Sequence, residues 1–426
     1  MGAQNLSVFP LVLAITFTLF SLRGESKTNW GDIQVLKEFK NELDPDSVSP
    51  GSCVSSWDFK LDPCDNLFSD KFTCGFRCDS VDESGASRLT ELALDQAGYS
   101  GSLASLSFNL PYLETLDLSN NFFSGPIPDS LSNLTRLRRL ALSGNSFSGQ
   151  IPATAIKALS SLEELFLDNN RLEGEIPGSL RGLSSLKRLE LQSNSFSGEF
   201  PDLGSLQNLY FLDASNNFIS GEIPENLPPS LVEISLRNNS VGGKIPEGIK
   251  RLSFLQVMDL SHNRLGDSVP SFLFTHQSLQ QLSLSSNRFS SVHPPYFRGV
   301  VVESQLIALD LKDNEIGGFL PSFFALMPKL SALSLENNKF TGMIPTQYAV
   351  KTVFPSWGVS PFSRLLLGRN YLLGPIPGPL LQLKPGSAHV ELTGNCLFRC
   401  PEIFFFCQGG EQKSLSECKA FGPIIP

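Results

Sequence analysis

The sequence predicts an α/β fold: a right-handed leucine-rich solenoid with a parallel sheet on its concave face and disulfide-capped ends. One leucine-rich pattern recurs about a dozen times between residues 89 and 394, with a period close to 24 residues. All eight cysteines lie outside this region, four before it and four after it. A unit of this length cannot bury its own apolar side chains, so neighbouring units must stack into one core with a cap at each end.

The first 26 residues have the pattern of a secretory signal peptide. An apolar run from Val8 to Leu22 is interrupted by Pro10 and followed by Arg23, and it is too short to span a bilayer comfortably. An uncleaved anchor is the alternative, because a small-residue cleavage site is missing. We expect cleavage, and therefore an extracellular mature chain with no membrane span.

The cysteines define two caps, which we place at residues 27–88 and 395–426. They are Cys53, Cys64, Cys74 and Cys78 in the first cap, and Cys396, Cys400, Cys407 and Cys418 in the second. Four cysteines allow three pairings within a cap, and the sequence does not choose among them. Zinc ligation is the alternative, but a signal peptide and an even number of cysteines favour disulfides. We expect four disulfides, none of them between the caps, and no metal or other cofactor.

Between the caps, the repeat reads Leu-x-x-Leu-x-Leu-x-x-Asn-x-Leu/Phe-Ser-Gly-x-Ile-Pro, and a truncated last copy ends at Asn395. The alternation in Leu-x-Leu predicts a strand with one buried face. We expect the asparagines to form a ladder that satisfies buried backbone groups, and the glycine and Ile-Pro to form the turn. The first copy has Ala97 in place of the asparagine. An internal aromatic column is predicted from Phe123, Phe147, Phe196 and Phe340.

The Ser-Gly-x-Ile-Pro portion, as in Ser124–Pro128 and Ser220–Pro224, resembles the plant-type leucine-rich repeat of receptor-like kinases, receptor-like proteins and polygalacturonase-inhibiting proteins. The segment Asp32–Leu43 is similar to the amphipathic helix that opens those ectodomains. Asp62-Pro63-Cys64, followed by Gly75–Cys78, resembles their cysteine cap. Trp57 precedes this motif rather than following it, so the family's cysteine pairing cannot be copied onto this chain.

Composition and motifs argue against nucleic acid binding and against catalysis. The net charge is −9 and no basic block could neutralise several phosphates. The four histidines, which lie on separate coils, belong to no catalytic or metal-binding motif. We therefore expect a protein that is not an enzyme and has no catalytic residue.

Two repeats are longer than the others, with 27 residues after Leu279 and 32 residues after Leu330. The second contains Trp357. We interpret both additions as surface loops, because insertions of this size are too short for a folded subdomain; a ligand-binding loop is the alternative.

Two glycosylation sequons lie outside the signal segment. Asn133 is expected on the convex or lateral side, where a glycan is harmless. Asn238 is expected at the edge of the concave sheet, where a glycan would mask part of that face. The sequence leaves the occupancy of both sites open.

The alternation also predicts which side chains face solvent on the concave sheet. Phe166 and Phe211 lie two coils apart, which corresponds to about 10 Å, with Arg188 between them. Aromatic and arginine side chains close together are typical of binding hot spots. The alternative is that single exposed phenylalanines are ordinary. The partner-binding residues we predict are Phe166, Arg188, Phe211, Asp213 and Arg237.

Together these features predict a secreted plant recognition protein that binds a protein, peptide or cell-wall ligand through its concave surface, in signalling or defence. A receptor-kinase ectodomain is one expected partner, and the apoplast or cell wall is the expected location. The alternative is a polygalacturonase-type inhibitor, whose partner would be a pectin-degrading enzyme.

Overall fold

The computed structural model describes residues 27–296 and 303–419. The predicted signal segment lies outside these residues, as does the end of the predicted C-terminal cap. In the part of the chain that is described, no helix has both the length and the apolar character needed to cross a membrane.

Short strands alternate with helical turns along the chain. The α-helices are α1 (Trp30–Glu42), α2 (Ala153–Ala158), α3 (Thr346–Val353) and α4 (Leu415–Lys419). The strands are β1 (Phe76–Arg77), β2 (Ser80–Val81), β3 (Ser87–Arg88), β4 (Glu91–Ala93), β5 (Ser100–Ser102), β6 (Thr115–Asp117), β7 (Phe122–Pro126), β8 (Arg139–Ala141), β9 (Ser146–Gly149), β10 (Glu164–Phe166), β11 (Arg171–Glu175), β12 (Arg188–Glu190), β13 (Ser195–Glu199), β14 (Phe211–Asp213), β15 (Phe218–Ser220), β16 (Glu233–Ser235), β17 (Val257–Asp259), β18 (Ser268–Val269), β19 (Gln281–Ser283), β20 (Ser291–Val292), β21 (Ala308–Asp310), β22 (Gly317–Phe319), β23 (Ala332–Ser334), β24 (Lys339–Met343), β25 (Arg364–Leu366), β26 (Tyr371–Gly374), β27 (His389–Glu391) and β28 (Cys396–Leu397).

One sheet of fourteen strands runs the length of the solenoid and forms its concave face. Its order is β1-β4-β6-β8-β10-β12-β14-β16-β17-β19-β21-β23-β25-β27. Every pairing is parallel except that of β1 with β4, which joins the N-terminal cap to the first coil. The register places Leu165, Leu189 and Leu212 side by side, all fully buried. The predicted leucine-rich-repeat solenoid is therefore confirmed.

The segment around the Ser-Gly pair, expected to be a turn, forms strands of two further sheets on the lateral side. One has six strands, in the order β15-β13-β11-β9-β7-β5, and the other has four, in the order β22-β24-β26-β28. Residues after the ladder asparagine are extended, so their backbone groups pair with those of the next coil. Glycines such as Gly198, with φ of 77°, then allow the bend that other residues disfavour. The turn begins only at the following Ile-Pro.

The asparagine ladder is confirmed at every predicted position. Each amide oxygen accepts a backbone N–H from the preceding coil, and each amide nitrogen donates to buried carbonyl oxygens. In the coil that has Ala97, the neighbouring Asn121 accepts from both Gly98 N and Tyr99 N. The rungs are Asn121, Asn145, Asn170, Asn194, Asn217, Asn239, Asn263, Asn287, Asn314, Asn338, Asn370 and Asn395.

The four phenylalanines of the predicted aromatic column are all buried, but only two of them stack. Phe123 and Phe147 lie in adjacent coils with their ring centroids 6.2 Å apart and an interplanar angle of 6°. Leu172 occupies the equivalent position in the next coil, so the column is interrupted before Phe196. The expectation of one continuous column was wrong, because intervening coils use leucine or isoleucine instead.

The N-terminal cap is anchored by a buried ion pair. The predicted helix is α1, which begins after Asn29, whose side chain accepts the Gly31 N–H. Both nitrogens of the Arg88 fork donate to Asp32, at 2.7 and 3.0 Å, and the Asp32 carboxylate also accepts the Leu89 N–H. The helix is thereby fixed to the first coil of the solenoid.

Disulfides close both caps, with no bridge between the caps. The pairs are Cys53–Cys74, Cys64–Cys78, Cys396–Cys418 and Cys400–Cys407. The structure thus selects one of the three pairings that the sequence left open in each cap.

The C-terminal cap also ends the asparagine ladder. Gln412 Oε1 accepts the Leu397 N–H at 3.2 Å, and Gln412 Nε2 donates to the Leu392 carbonyl at 3.2 Å. These are the two backbone positions that the asparagine of a following coil would satisfy, as Asn194 does for Leu172 and Leu167. Gln412 therefore replaces the missing rung.

Candidate recognition site on the concave sheet

The candidate site lies on β10, β12 and β14, near the middle of the concave sheet. Side chains alternate along each strand, so the central leucine of each strand enters the core while its two neighbours face solvent. This places Phe166, Arg188 and Phe211 on the open face, each partly exposed. The sequence prediction of their orientation agrees with this arrangement.

Arginine and phenylalanine side chains alternate across four consecutive coils. The Arg188 guanidinium lies 3.9 Å from the Phe211 ring centroid and 5.8 Å from that of Phe166. The Arg139 guanidinium, from the coil before, lies 4.4 Å from the Phe166 ring centroid. We call Arg139, Phe166, Arg188 and Phe211 the Arg–Phe ladder. Cations over aromatic faces attract the ring quadrupole, which holds these side chains in a defined arrangement.

The register adds a detail that the sequence interpretation lacked. Phe166 is level with Glu190, whereas Phe211 is level with Arg188. The two rings therefore lie on a diagonal of the sheet, and Arg188 reaches both because its side chain is long. Arg139 was absent from the predicted site, although its position before a core leucine is the same as that of Arg188.

Carboxylates surround the Arg–Phe ladder. Glu190 accepts from both Arg188 and Gln192, and Arg139 forms ion pairs with Glu164 and Asp117. In the described part of the chain, neither Asp213 nor Glu233 forms an ion pair. Burial raises the pKa of Asp213, and burial together with the Asp213 charge raises the pKa of Glu233. The centre of the site thus carries negative charge that its own cations leave unbalanced.

Arg237, the fifth predicted residue, lies apart from the Arg–Phe ladder. Its side chain is exposed and lies 3.9 Å from the Asp259 carboxylate. Asp213 lies closer to the Arg–Phe ladder, because it is on the same strand as Phe211 and pairs in register with Glu190 on one side and Ser235 on the other. The structure therefore brings four of the five predicted residues together and leaves Arg237 at the margin.

A hollow of about 310 Å³ opens on the same face, several coils further along. Its floor is made by short side chains, and its rim carries charges of both signs. The floor includes Ser283, Ala308, Ala332 and Ser334, and the rim includes Asp259, Asp310, Lys312 and Arg364. This hollow was not predicted, although small residues at successive outward positions of the repeat indicate it.

Both sequon asparagines are exposed. Asn133 ends a helical turn on the side opposite the concave sheet, and its amide nitrogen donates to Ser107 O at 2.8 Å. Asn238 follows β16, and its amide nitrogen donates to Asn216 Oδ1 at 3.0 Å. A glycan at either site would be attached to that same nitrogen, which would keep one N–H to donate.

The arrangement is suited to binding an extended partner. It presents aromatic faces, guanidinium groups and carboxylates over an open sheet rather than within a closed cleft. Among residues 27–296 and 303–419, no group of three or more histidine, cysteine or acidic side chains is placed to hold a metal ion.

Comparison with known protein families identifies the repeat. A family model described as Leucine rich repeat matches residues 87–147, 149–196 and 277–340. A second model of the same description matches residues 208–229, 230–252 and 254–275.

Similar proteins come from plants. A probable LRR receptor-like serine/threonine-protein kinase of Arabidopsis thaliana is 48% identical over 56 residues, which are 13% of this chain and 8% of that protein. The crystal structure of PEPR1–AtPEP1 is 31% identical, with a TM-score of 0.73, and covers 90% of this chain and 51% of that one. The plant peptide hormone receptor RGFR1 in complex with RGF2 is 28% identical, with a TM-score of 0.63, over 70% of this chain and 46% of that one. The chain thus spans about half the length of these two solved structures.

Proposed function

Because this chain belongs to the plant-type leucine-rich-repeat family, we propose that it is a recognition protein that binds a peptide or protein ligand across its concave sheet. The Arg–Phe ladder carries the proposal. Aromatic and arginine side chains dominate binding hot spots, and here they are already held in place by one another. Side chains ordered before binding lose less conformational entropy when the ligand arrives.

The similar solved structures include PEPR1–AtPEP1 and the plant peptide hormone receptor RGFR1 in complex with RGF2. By analogy, the ligand of this chain is an extended peptide or a protein segment. We place its central contacts on Phe166, Arg188, Phe211 and Asp213, with Arg237 at the margin. In this proposal the protein acts by binding and not by catalysis.

We further propose an extracellular location, in the apoplast or cell wall, after removal of residues 1–26. The four cap disulfides support this location, because disulfides persist in oxidising compartments. Residues 27–88 and 395–426 then act as the caps of the solenoid at 89–394, and Asn133 and Asn238 are the candidate glycan sites. A role in signalling or defence follows if the partner is a peptide signal or a receptor-kinase ectodomain.

The test begins with the full chain expressed in plant cells, collected from the medium and used as bait on extracellular fluid and solubilised membranes. Affinity for the captured partner is then measured for the Phe166→Ala/Phe211→Ala double variant and for Arg188→Ala. We expect at least tenfold weaker binding, which corresponds to about 1.4 kcal/mol. Phe254→Ala, at an exposed phenylalanine outside the sheet, is the control and should bind normally.

Unchanged affinity in a folded double variant would refute the concave site. A parallel assay of fungal polygalacturonase activity separates the alternative function. Inhibition by the parent chain would identify an enzyme inhibitor, and the same variants would show whether the Arg–Phe ladder contacts the enzyme.

A further inference from the structure

The 32-residue repeat forms a pocket on the helical side of the solenoid, away from the concave sheet. Its additional residues form α3 and a loop that runs to Pro361. The space between α3, this loop and the helical turn Ser322–Leu326 has a volume of about 430 Å³, and we call it the α3 pocket. Its lining residues include Leu326, Thr346, Gln347, Val350, Lys351, Ser356, Trp357 and Val359.

Lys351 is a buried cation without a counterion. Its side chain is only 2% exposed, and its ammonium donates to Met327 O at 2.8 Å and lies 5.1 Å from the Phe362 ring centroid. Burial lowers its pKa to about 8. An ammonium group has three donors, and Met327 O is its single hydrogen-bond acceptor among the described residues.

No other charged side chain lies in the segments that form the α3 pocket and pack against α3. Residues 322–326, 346–361 and 378–382 form α3, its loop and the two helical turns that pack against the helix, and Lys351 is the one Asp, Glu, Lys, Arg or His among them. Buried charges in proteins are normally paired, because an unpaired charge loses its hydration without compensation. Among the described residues, the Lys351 ammonium therefore has no acidic partner.

The outer wall of the α3 pocket is aromatic and unpacked. The Trp357 side chain is fully exposed, and Val350 and Phe354 beside it are also exposed. An indole ring has a large apolar face that gains most when it stacks against another flat group. Thr346, Gln347 and Ser356 are the polar side chains at the edge.

We propose that the α3 pocket binds a small aromatic molecule that carries one acidic group. The ring of this ligand packs between Trp357 and Val350, and the acidic group supplies the missing counterion for Lys351. The volume lies within the range of about 300–1,000 Å³ that is usual for small-molecule sites lined by apolar residues with a few polar groups. The proposal is independent of the concave site and of its ligand.

The test uses the full chain and two fluorescent probes of the same shape. 8-Anilino-1-naphthalenesulfonate carries an acidic group, and N-phenyl-1-naphthylamine lacks it. We expect saturable one-to-one binding of the sulfonate, weakened at least tenfold by Trp357→Ala. Lys351→Met should weaken binding of the sulfonate at least tenfold and should change the affinity for the neutral probe less than twofold.

Gln347→Glu keeps the proposal testable if Lys351→Met does not fold. Gln347 is exposed at the rim, so the added carboxylate should weaken binding of the sulfonate at least threefold. It should change neither the fold nor the affinity for the neutral probe. Phe254→Ala is the control for an exposed aromatic residue elsewhere, and it should leave the titration unchanged. Sulfonate binding that is absent in the parent chain, or unaltered in folded Trp357→Ala and Gln347→Glu, overturns the proposal.

Discussion

Replacing Asn194 by alanine tests the hydrogen-bond logic of the ladder. Asn194 Oδ1 accepts the Leu172 N–H at 2.9 Å, and Asn194 Nδ2 donates to Leu167 O at 2.9 Å and to Leu191 O at 3.2 Å. The side chain is buried, with 9% of its surface exposed. The backbone groups that it pairs with are therefore largely shielded from bulk water.

The expected decrease in the free energy of unfolding depends on which backbone groups keep another hydrogen-bond partner. Leu167 O still accepts from Asn170 Nδ2 at 3.1 Å, and Leu191 O still accepts from Asn217 Nδ2 at 3.0 Å. One buried donor, Leu172 N–H, loses its acceptor. Leaving one such group unpaired costs about 1–3 kcal/mol, so Asn194→Ala should lower the free energy of unfolding by that amount.

Chemical denaturation of the oxidised protein measures the loss. Lys187→Ala, which removes an exposed ion pair with Glu163, is the matched control in the same coil and should cost at most about 1 kcal/mol.

Two double variants test whether neighbouring ladder asparagines stabilise the same carbonyl oxygen. Asn194→Ala with Asn217→Ala removes both donors to Leu191 O, so it should cost more than the sum of the two single changes. Asn194→Ala with Asn287→Ala, several coils apart, should be additive. Equal effects of Asn194→Ala and Lys187→Ala, or additivity in the neighbouring pair, would refute the reasoning.

Three further outcomes are expected. Gln412→Ala should destabilise the last coil by about 1 kcal/mol and raise amide hydrogen exchange at Leu397, while Gln408→Ala, in the same cap, leaves Leu397 protected. Burial raises the pKa of Asp213, so the folded state binds more protons than the unfolded state and the stability of the parent chain falls as the pH rises through the titration of Asp213. Asp213→Asn should therefore raise the melting temperature at pH 7. At pH 3, where the carboxyl group is protonated in the parent chain, the variant and the parent chain should melt at similar temperatures. Peptide mapping without reduction should recover the four pairs within the caps, and Cys396→Ser should reduce secretion, because loss of a native disulfide from a small domain costs about 2–5 kcal/mol; a peptide that links the two caps would contradict the fold.

Periodic features of this chain could be predicted from its sequence, because each repeat places the same residue in the same environment. The ladder asparagines and the outward direction of Phe166 and Phe211 follow from position alone. Cysteine pairing could not be predicted, since it depends on how Cys53 and Cys74 meet in an aperiodic cap.

Contacts that long side chains make between coils also could not be predicted from the repeat pattern. Arg139 reaches the Phe166 ring from the preceding coil, and the repeat does not specify arginine there. The lateral sheets were missed for a different reason. A Ser-Gly pair is typical of a turn in isolation, but stacking supplies each extended segment with neighbours to pair with.

Gln412 gives the fold a tolerance for changes in length. The Gln412 side chain meets the two backbone groups that every asparagine coil leaves open on its outer side, and these two hydrogen bonds need no side chain specific to the last coil. A whole internal coil could therefore be duplicated or deleted in evolution while the junction with the cap stayed chemically the same. The number of coils, and with it the reach of the binding face, is free to vary independently of the cap.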